Sequence, residues 1–258
     1  MNFQKQHTVI LLACISILAT VAMFMCVAPI AQDLHYHCFA NEQTIASIPN
    51  FWNVVSNIGF VFSGAWGFVV VKKYKINSPM VFALFTGMVL TGFGSAYYHY
   101  APNNTSLVWD RLPMTLVFTA FFAEFYSWYF NTKTAIGVWL GSLFIGLFSV
   151  WYWQYTERLN CGDLRLYVLV QFLPMILMLL ILFVHHKEHT RTHAPLLIIF
   201  VSYLIAKLLE HFDATIFDVC MIASGHPLKH VAASVATAAM VWMIKRYYER
   251  NSLLFISH

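Results

Sequence analysis

The chain has 258 residues, 60% of them hydrophobic and only 10% charged, with a mean hydropathy of +0.66. That is too little polar surface to cover a water-soluble globule, so the bilayer is the implied solvent. The formal net charge of +4 is accounted for by basic residues anchoring loops on one side of a membrane, and neither a nucleic-acid nor a protein partner is inferred.

At about 20 apolar residues per spanning helix, the length leaves no room for a separate soluble domain. Apolar runs predict helices near 8–28, 51–71, 79–100, 107–130, 134–153, 164–184, 195–212 and 227–246. The first follows Lys5 and ends near Pro29-Ile30-Ala31, a small-residue region suited to signal-peptide cleavage. Its apolar stretch of about 21 residues exceeds the usual signal core of about 7–15, so a retained helix is expected. Lys5, then Lys72, Lys73 and Lys75, then Lys133, then Lys187 and Arg191, then Lys245, Arg246 and Arg250 fall on alternate connections. That side is predicted to be cytoplasmic, with both termini inside. The expected fold class is an all-α integral membrane protein of eight spans. Among the cysteines, Cys38, Cys161 and Cys220 fall in outer loops where oxidant could reach them, and spacing does not choose a pair.

His99, His226 and His230 stand at the outer ends of predicted spans, where polar side chains are costly. His226 and His230 are four residues apart on a helix whose start is marked by Gly225 and Pro227, so both rings can face one point. That spacing suits a metal pair, and it also suits hydrogen-bonded structural histidines. In the third span Ser95 and His99 share a face, about 6 Å apart along the axis. After the Pro102-Asn103-Asn104 turn, Asp110 opens the fourth span, where a helix N-terminus favours an ionised carboxylate. The charge-derived topology puts these groups at one depth near the non-cytoplasmic surface. Three neutral imidazoles plus water make an open tetrahedral zinc site, with the carboxylate available as base; the alternative is a polar network that holds three helices together.

The second span opens with Asn53, Ser56 and Asn57 on one face at the same level. They either line the cavity or make ordinary interhelical hydrogen bonds worth about 0.6 kcal/mol each. Lys207, Glu210, His211 and Asp213 form another polar group, in which Lys207 and Glu210 are close enough to pair. Glu210 and His211 are candidates to orient a ligand histidine from outside. His35 and His37 flank Tyr36 beside Asp33, suited to hold a cation or cap the cavity, whereas His185, His186, His189 and His193 crowd a charged loop and read as solvated.

Ser95-x-x-x-His99, Asp110 eleven residues on, and His226-x-x-x-His230 resemble the alkaline ceramidase family, within the membrane hydrolase superfamily that also holds the progestin and adipoQ receptors. Phe51-Trp52-Asn53-x-x-Ser56-Asn57 and Leu112-Pro113-Met114 strengthen the likeness, which covers roughly residues 50–245 and is nearest the bacterial branch. The resemblance implies a seven-helix hydrolase domain, here within 31–258, with residues 1–30 as an extra N-terminal helix. It implies zinc held by His99, His226 and His230, Asp110 contacting the attacking water, and Ser95 holding that water or the oxyanion. The reaction implied is hydrolysis of the ceramide amide to a sphingoid base and a fatty acid. Eukaryotic members carry an acidic calcium-binding segment that ends in a glutamate just before Phe-Trp-Asn. This chain has Asn50 there and only Asp33 and Glu42 upstream, so calcium as a second cofactor is not supported.

A lipid substrate is also expected from placement, because the carbonyl of a membrane lipid lies between headgroup and hydrocarbon, the depth deduced for the histidines. Two readings compete with a zinc amidase. A lipid-sensing receptor would hold the same zinc as a closed structural site with a fourth protein ligand, and a transporter would carry its charges near mid-span.

Overall fold

A computed structural model describes residues 3–256, with side chains through Arg250. Among these residues the backbone is helical apart from loops, short 3-10 turns and one bridge between Ile45 and Ile48. The helices are α1 (Phe3–Cys26), α2 (Phe51–Val55), α3 (Ile58–Tyr74), α4 (Pro79–Tyr100), α5 (Asn104–Tyr129), α6 (Thr132–Arg158), α7 (Arg165–Val184), α8 (His193–His211), α9 (Asp213–Cys220) and α10 (Gly225–Ile256). Seven segments are long and apolar enough to cross a bilayer: Phe3–Cys26, Phe51–Tyr74, Pro79–Tyr100, Thr132–Arg158, Arg165–Val184, Thr190–His211 and Gly225–Arg250. The chain is thus an all-α integral membrane protein.

The eighth expected crossing is present as a helix but is less apolar than the others. Residues 107–130 do form a helix, the 26-residue α5, but it falls outside the set that is apolar enough to span. It carries Asp110, Arg111 and Glu124, and Thr115, Thr119 and Glu124 are essentially inaccessible. A helix enclosed by protein needs no lipid-compatible surface, so hydropathy under-reports it.

The second expected span is interrupted between α2 and α3, where the Asn57 side chain donates to the carbonyls of Asn53 at 2.7 Å and Val54 at 3.4 Å. Such local side-chain bonds offer the backbone an alternative to the helical ladder. All five cysteines are free.

By internal contacts the chain divides into two compact units. The first joins the N-terminal part through Asp33 to Thr115–Glu188. Here α1 is tied to α7 at both ends. Lys5 pairs with Glu188 at 3.2 Å, and Thr8 Oγ1 and His185 Nε2 are 3.2 Å apart. At the other end Arg165 donates to the Val27 carbonyl at 2.8 Å and Leu164 N to the Ile30 carbonyl at 2.8 Å. Burial would raise the Asp163 carboxyl, but hydrogen bonds from Arg165 and Tyr152 outweigh it and hold the group below the usual carboxylate range.

The second unit joins Leu34–Met114 to the chain from His189 onward. Its helices α3 and α4 approach closely because Gly64 and Gly67 leave room for Phe85 and its carbonyl, where any Cβ would collide. Tyr74 donates to Glu249 at 2.8 Å, which puts the α3–α4 connection and the end of α10 on one face.

Candidate metal centre

The second unit gathers the predicted histidines. One ring nitrogen from each of His99, His226 and His230 lies within 4.8 Å of the others, and the three residues are 1%, 4% and 4% exposed. Nε2 of His99 faces Nε2 of His230 at 3.2 Å. Nδ1 of His230 lies 2.8 Å from Ser56 Oγ, and the ring is hydrogen-bonded to the Asn53 backbone as well. With Nδ1 donating to that carbonyl, Nε2 presents a bare lone pair towards the other two rings. Nε2 of His226 is buried and meets no hydrogen-bond partner in the protein, which is costly for a polar atom unless something else supplies the contact. Three convergent imidazoles with an orphaned buried nitrogen would fit a zinc ion.

Ser95 and Asp110 come together beside this group. Ser95, one helical turn before His99 on α4, hydrogen-bonds the Asp110 carboxylate, and Lys229 and Arg111 are near enough to act on that charge. The approach depends on Gly94: a Cβ there would run into the Trp109 carbonyl, immediately before Asp110. The basis for Asp110 differs from the expected helix-start position. Helix α5 begins at Asn104, with the Asn103 side chain accepting from Thr105 N at 2.8 Å and Ser106 N at 2.9 Å. Asp110 therefore stands in the second turn, past the reach of the helix dipole, and its neighbours are Ser95 and cationic side chains.

The other expected residues separate. Asn53 is buried and donates to the Asn41 carbonyl at 3.2 Å, while Ser56 touches a ligand candidate directly. Glu210 pairs with Lys207 at 2.9 Å as expected, but it also takes Lys229 at 2.6 Å and the Tyr36 hydroxyl at 3.0 Å; no histidine is among these partners. His211 is exposed and rests against Phe212 at 4.8 Å between ring centroids. His37 bonds the Tyr98 hydroxyl at 3.0 Å and Asn104 at 2.9 Å.

The sequence marks Asp213 as part of a polar group and the stretch around Tyr36 as suited to cap the cavity, whereas Phe39 and the contact made by Asn50 carried no such signal. The segment from Leu34 to Asn50 lies over the centre, and the Phe39 ring packs 4.6 Å from His226 and 4.9 Å from His99. Asn50, in a left-handed conformation at φ 49°, donates to the His99 carbonyl at 2.9 Å. Asp213 accepts from His226 N at 2.6 Å with one oxygen and from Ala40 N at 3.0 Å with the other. It thereby caps the start of α10 and holds the covering segment at once. Burial, and then the Glu210 charge, push the Tyr36 hydroxyl above its usual range, so it remains a donor.

No solved structure matches the chain. The stretch that holds the histidines, their partners and most of the covering segment is the stretch that the protein-family model Ceramidase matches, residues 37–251, and on that match the chain belongs to the ceramidase family.

Proposed function

We propose that the chain is a zinc-dependent amidase that hydrolyses ceramide or a related acyl lipid to a long-chain base and a fatty acid. The observation that carries this reading is a buried trio of convergent imidazoles on a chain of the ceramidase family. Zinc, when held by His99, His226 and His230, supplies a Lewis acid for the amide carbonyl and lowers the pKa of the attacking water from about 15.7 towards about 7. Asp110 accepts the water proton as its oxygen adds to the carbonyl carbon. The same carboxyl returns that proton to nitrogen as the C–N bond breaks, leaving an amine and a carboxylic acid, whose remaining proton then passes to the amine to give an ammonium and a carboxylate.

Ser95 has one hydroxyl proton, and it is committed to Asp110. Once Asp110 is protonated it needs that bond less, and Ser95 is released to donate to the oxyanion, a contact typically worth about 3–4 kcal/mol in rate. Ser56 and the Asn53 carbonyl fix the tautomer and orientation of His230. Phe39 shields two ligand rings from water. A closed structural zinc would require a fourth protein ligand; among the described residues the group has three, which favours catalysis over a receptor role.

The reading is tested by incubating purified protein with a membrane lipid extract and measuring released acids and bases by mass spectrometry. Matched release of a fatty acid and a long-chain base is expected from the wild type. Release of neither would overturn the proposal.

We further infer that both termini are cytoplasmic, that residues 31–258 make up the hydrolase domain beyond an N-terminal helix, and that the centre opens to the non-cytoplasmic face. The alternating basic connections support this, as do the Lys5–Glu188 and Tyr74–Glu249 contacts within each unit. Cysteines introduced at 72–78 and 185–193 should react with an impermeant reagent from the cytoplasmic side, and at 101–106 from the outside. The reverse pattern would invert the leaflet attacked.

A further inference from the structure

Lys229 lies on the turn of α10 between His226 and His230, and only 14% of its side chain is exposed. Its ammonium donates to Glu210 at 2.6 Å and sits 5.5 Å from the centre of the Tyr36 ring. That ring meets His226 at 6.5 Å. Glu210 is shared: its second oxygen takes Lys207 at 2.9 Å, and its first also accepts from the Tyr36 hydroxyl at 3.0 Å.

The two lysines differ in setting. Lys207 is 41% exposed, so water and lipid headgroups can serve its remaining donors. Lys229 is enclosed, and of its three N–H donors one is used within the protein among the described residues. It stands beside the centre, one residue before His230 and three after His226, against the Tyr36 ring that meets His226. An enclosed ammonium with unused donors beside neutral imidazoles is stabilised by an anion that approaches from the imidazole side.

The reaction makes one such anion in place. The amide substrate has a neutral carbonyl there, whereas the product has a carboxylate with two acceptor oxygens. We propose that Lys229, positioned by Glu210, is the residue that binds the carboxylate of a long-chain fatty acid at this centre. The assignment rests on the amidase reading for its ligand, and on Lys229, Glu210 and Tyr36 for its geometry. It gives product recognition to a side chain rather than to the metal alone, and it makes the centre suited to hold free fatty acid as well as to release it.

The test is binding, with turnover left aside. Purified protein in detergent micelles, loaded with a fluorescent fatty-acid probe, is titrated with hexadecanoate and with 1-hexadecanol, which share a chain length and differ in charge. Wild-type protein should bind hexadecanoate at least about tenfold more tightly than the alcohol, the scale of a charge-assisted hydrogen bond. Lys229→Met should cut that preference severalfold, leaving what the metal alone supplies, with the affinity for 1-hexadecanol unchanged. Lys229→Arg should retain most of the preference, and Lys207→Met should keep it.

The same titrations on chelator-treated protein separate the ammonium from the metal, because stripped wild type should still prefer the acid and stripped Lys229→Met should not. Should Lys229→Met fail to fold, Lys229→Gln carries the same expectation. An equal preference in wild type and the Lys229 variants, or none in wild type, would overturn the assignment. A wild type that binds the acid through Lys229 yet releases none from ceramide would instead sink the amidase reading and leave the carboxylate site standing.

Discussion

Alanine in place of His99, His226 or His230 is expected to lower zinc affinity by more than about 100-fold. The scale follows from comparison, since even an outer hydrogen-bond partner of a ligand is typically worth roughly 10–100-fold. Ser56→Ala, which removes one such partner of His230, should therefore fall within that lower range and give an internal yardstick. Wild-type protein should carry about one zinc per chain by metal analysis. Each alanine variant should carry almost none after dialysis while remaining monodisperse in detergent. Full zinc retention in all three would end the metal assignment and leave a hydrogen-bonded histidine network that joins α4 to α10.

Asp110→Asn should separate metal binding from turnover. The substitution keeps size and keeps an acceptor for the Ser95 hydroxyl, but an amide cannot take the proton of the attacking water. Fatty-acid release should fall by about 100-fold or more, the lower range for losing a general base, with zinc content unchanged on the same preparation. A fourth metal ligand at this position would lose zinc along with activity. A merely structural Asp110 would leave turnover nearly intact, and that result would refute the mechanism.

The histidines were legible because periodicity does the work. An i, i+4 pair on α10 and a histidine at the outer end of α4 need only helix geometry and a common depth to be brought together. Glu210 and Lys207 were legible as a pair for the same reason, three residues apart on α8. What stayed hidden is what joins separate elements. Nothing in the spacing of Asp213 tells that it caps the helix that carries His226, and nothing in the loop composition singles out Phe39 as the ring above the ligands. The sequence offers Lys229 only as a basic residue between two histidines of one helix. Its partner Glu210 lies 19 residues away on another helix, and no single-helix pattern reports such a contact. Asp110 was recognised for its position relative to His99, yet its local setting was misjudged because α5 starts at Asn104, which puts Asp110 in the second turn rather than at the helix start. The break between α2 and α3 escaped because hydropathy averages over it.

Asp213 gives one acceptor oxygen to Ala40 in the covering segment and the other to His226 in the ligand helix. On the proposed reading, seating of the cover and occupancy of the ligand trio would be linked through one carboxylate, and such linkage is reciprocal. Whatever factor a seated cover adds to metal retention, a bound metal adds to the seating of the cover. On the proposed reading, any movement that lifted Ala40 away would take one partner from the carboxylate that also caps the ligand helix, so opening the cover and loosening the His226 turn would come at a shared cost.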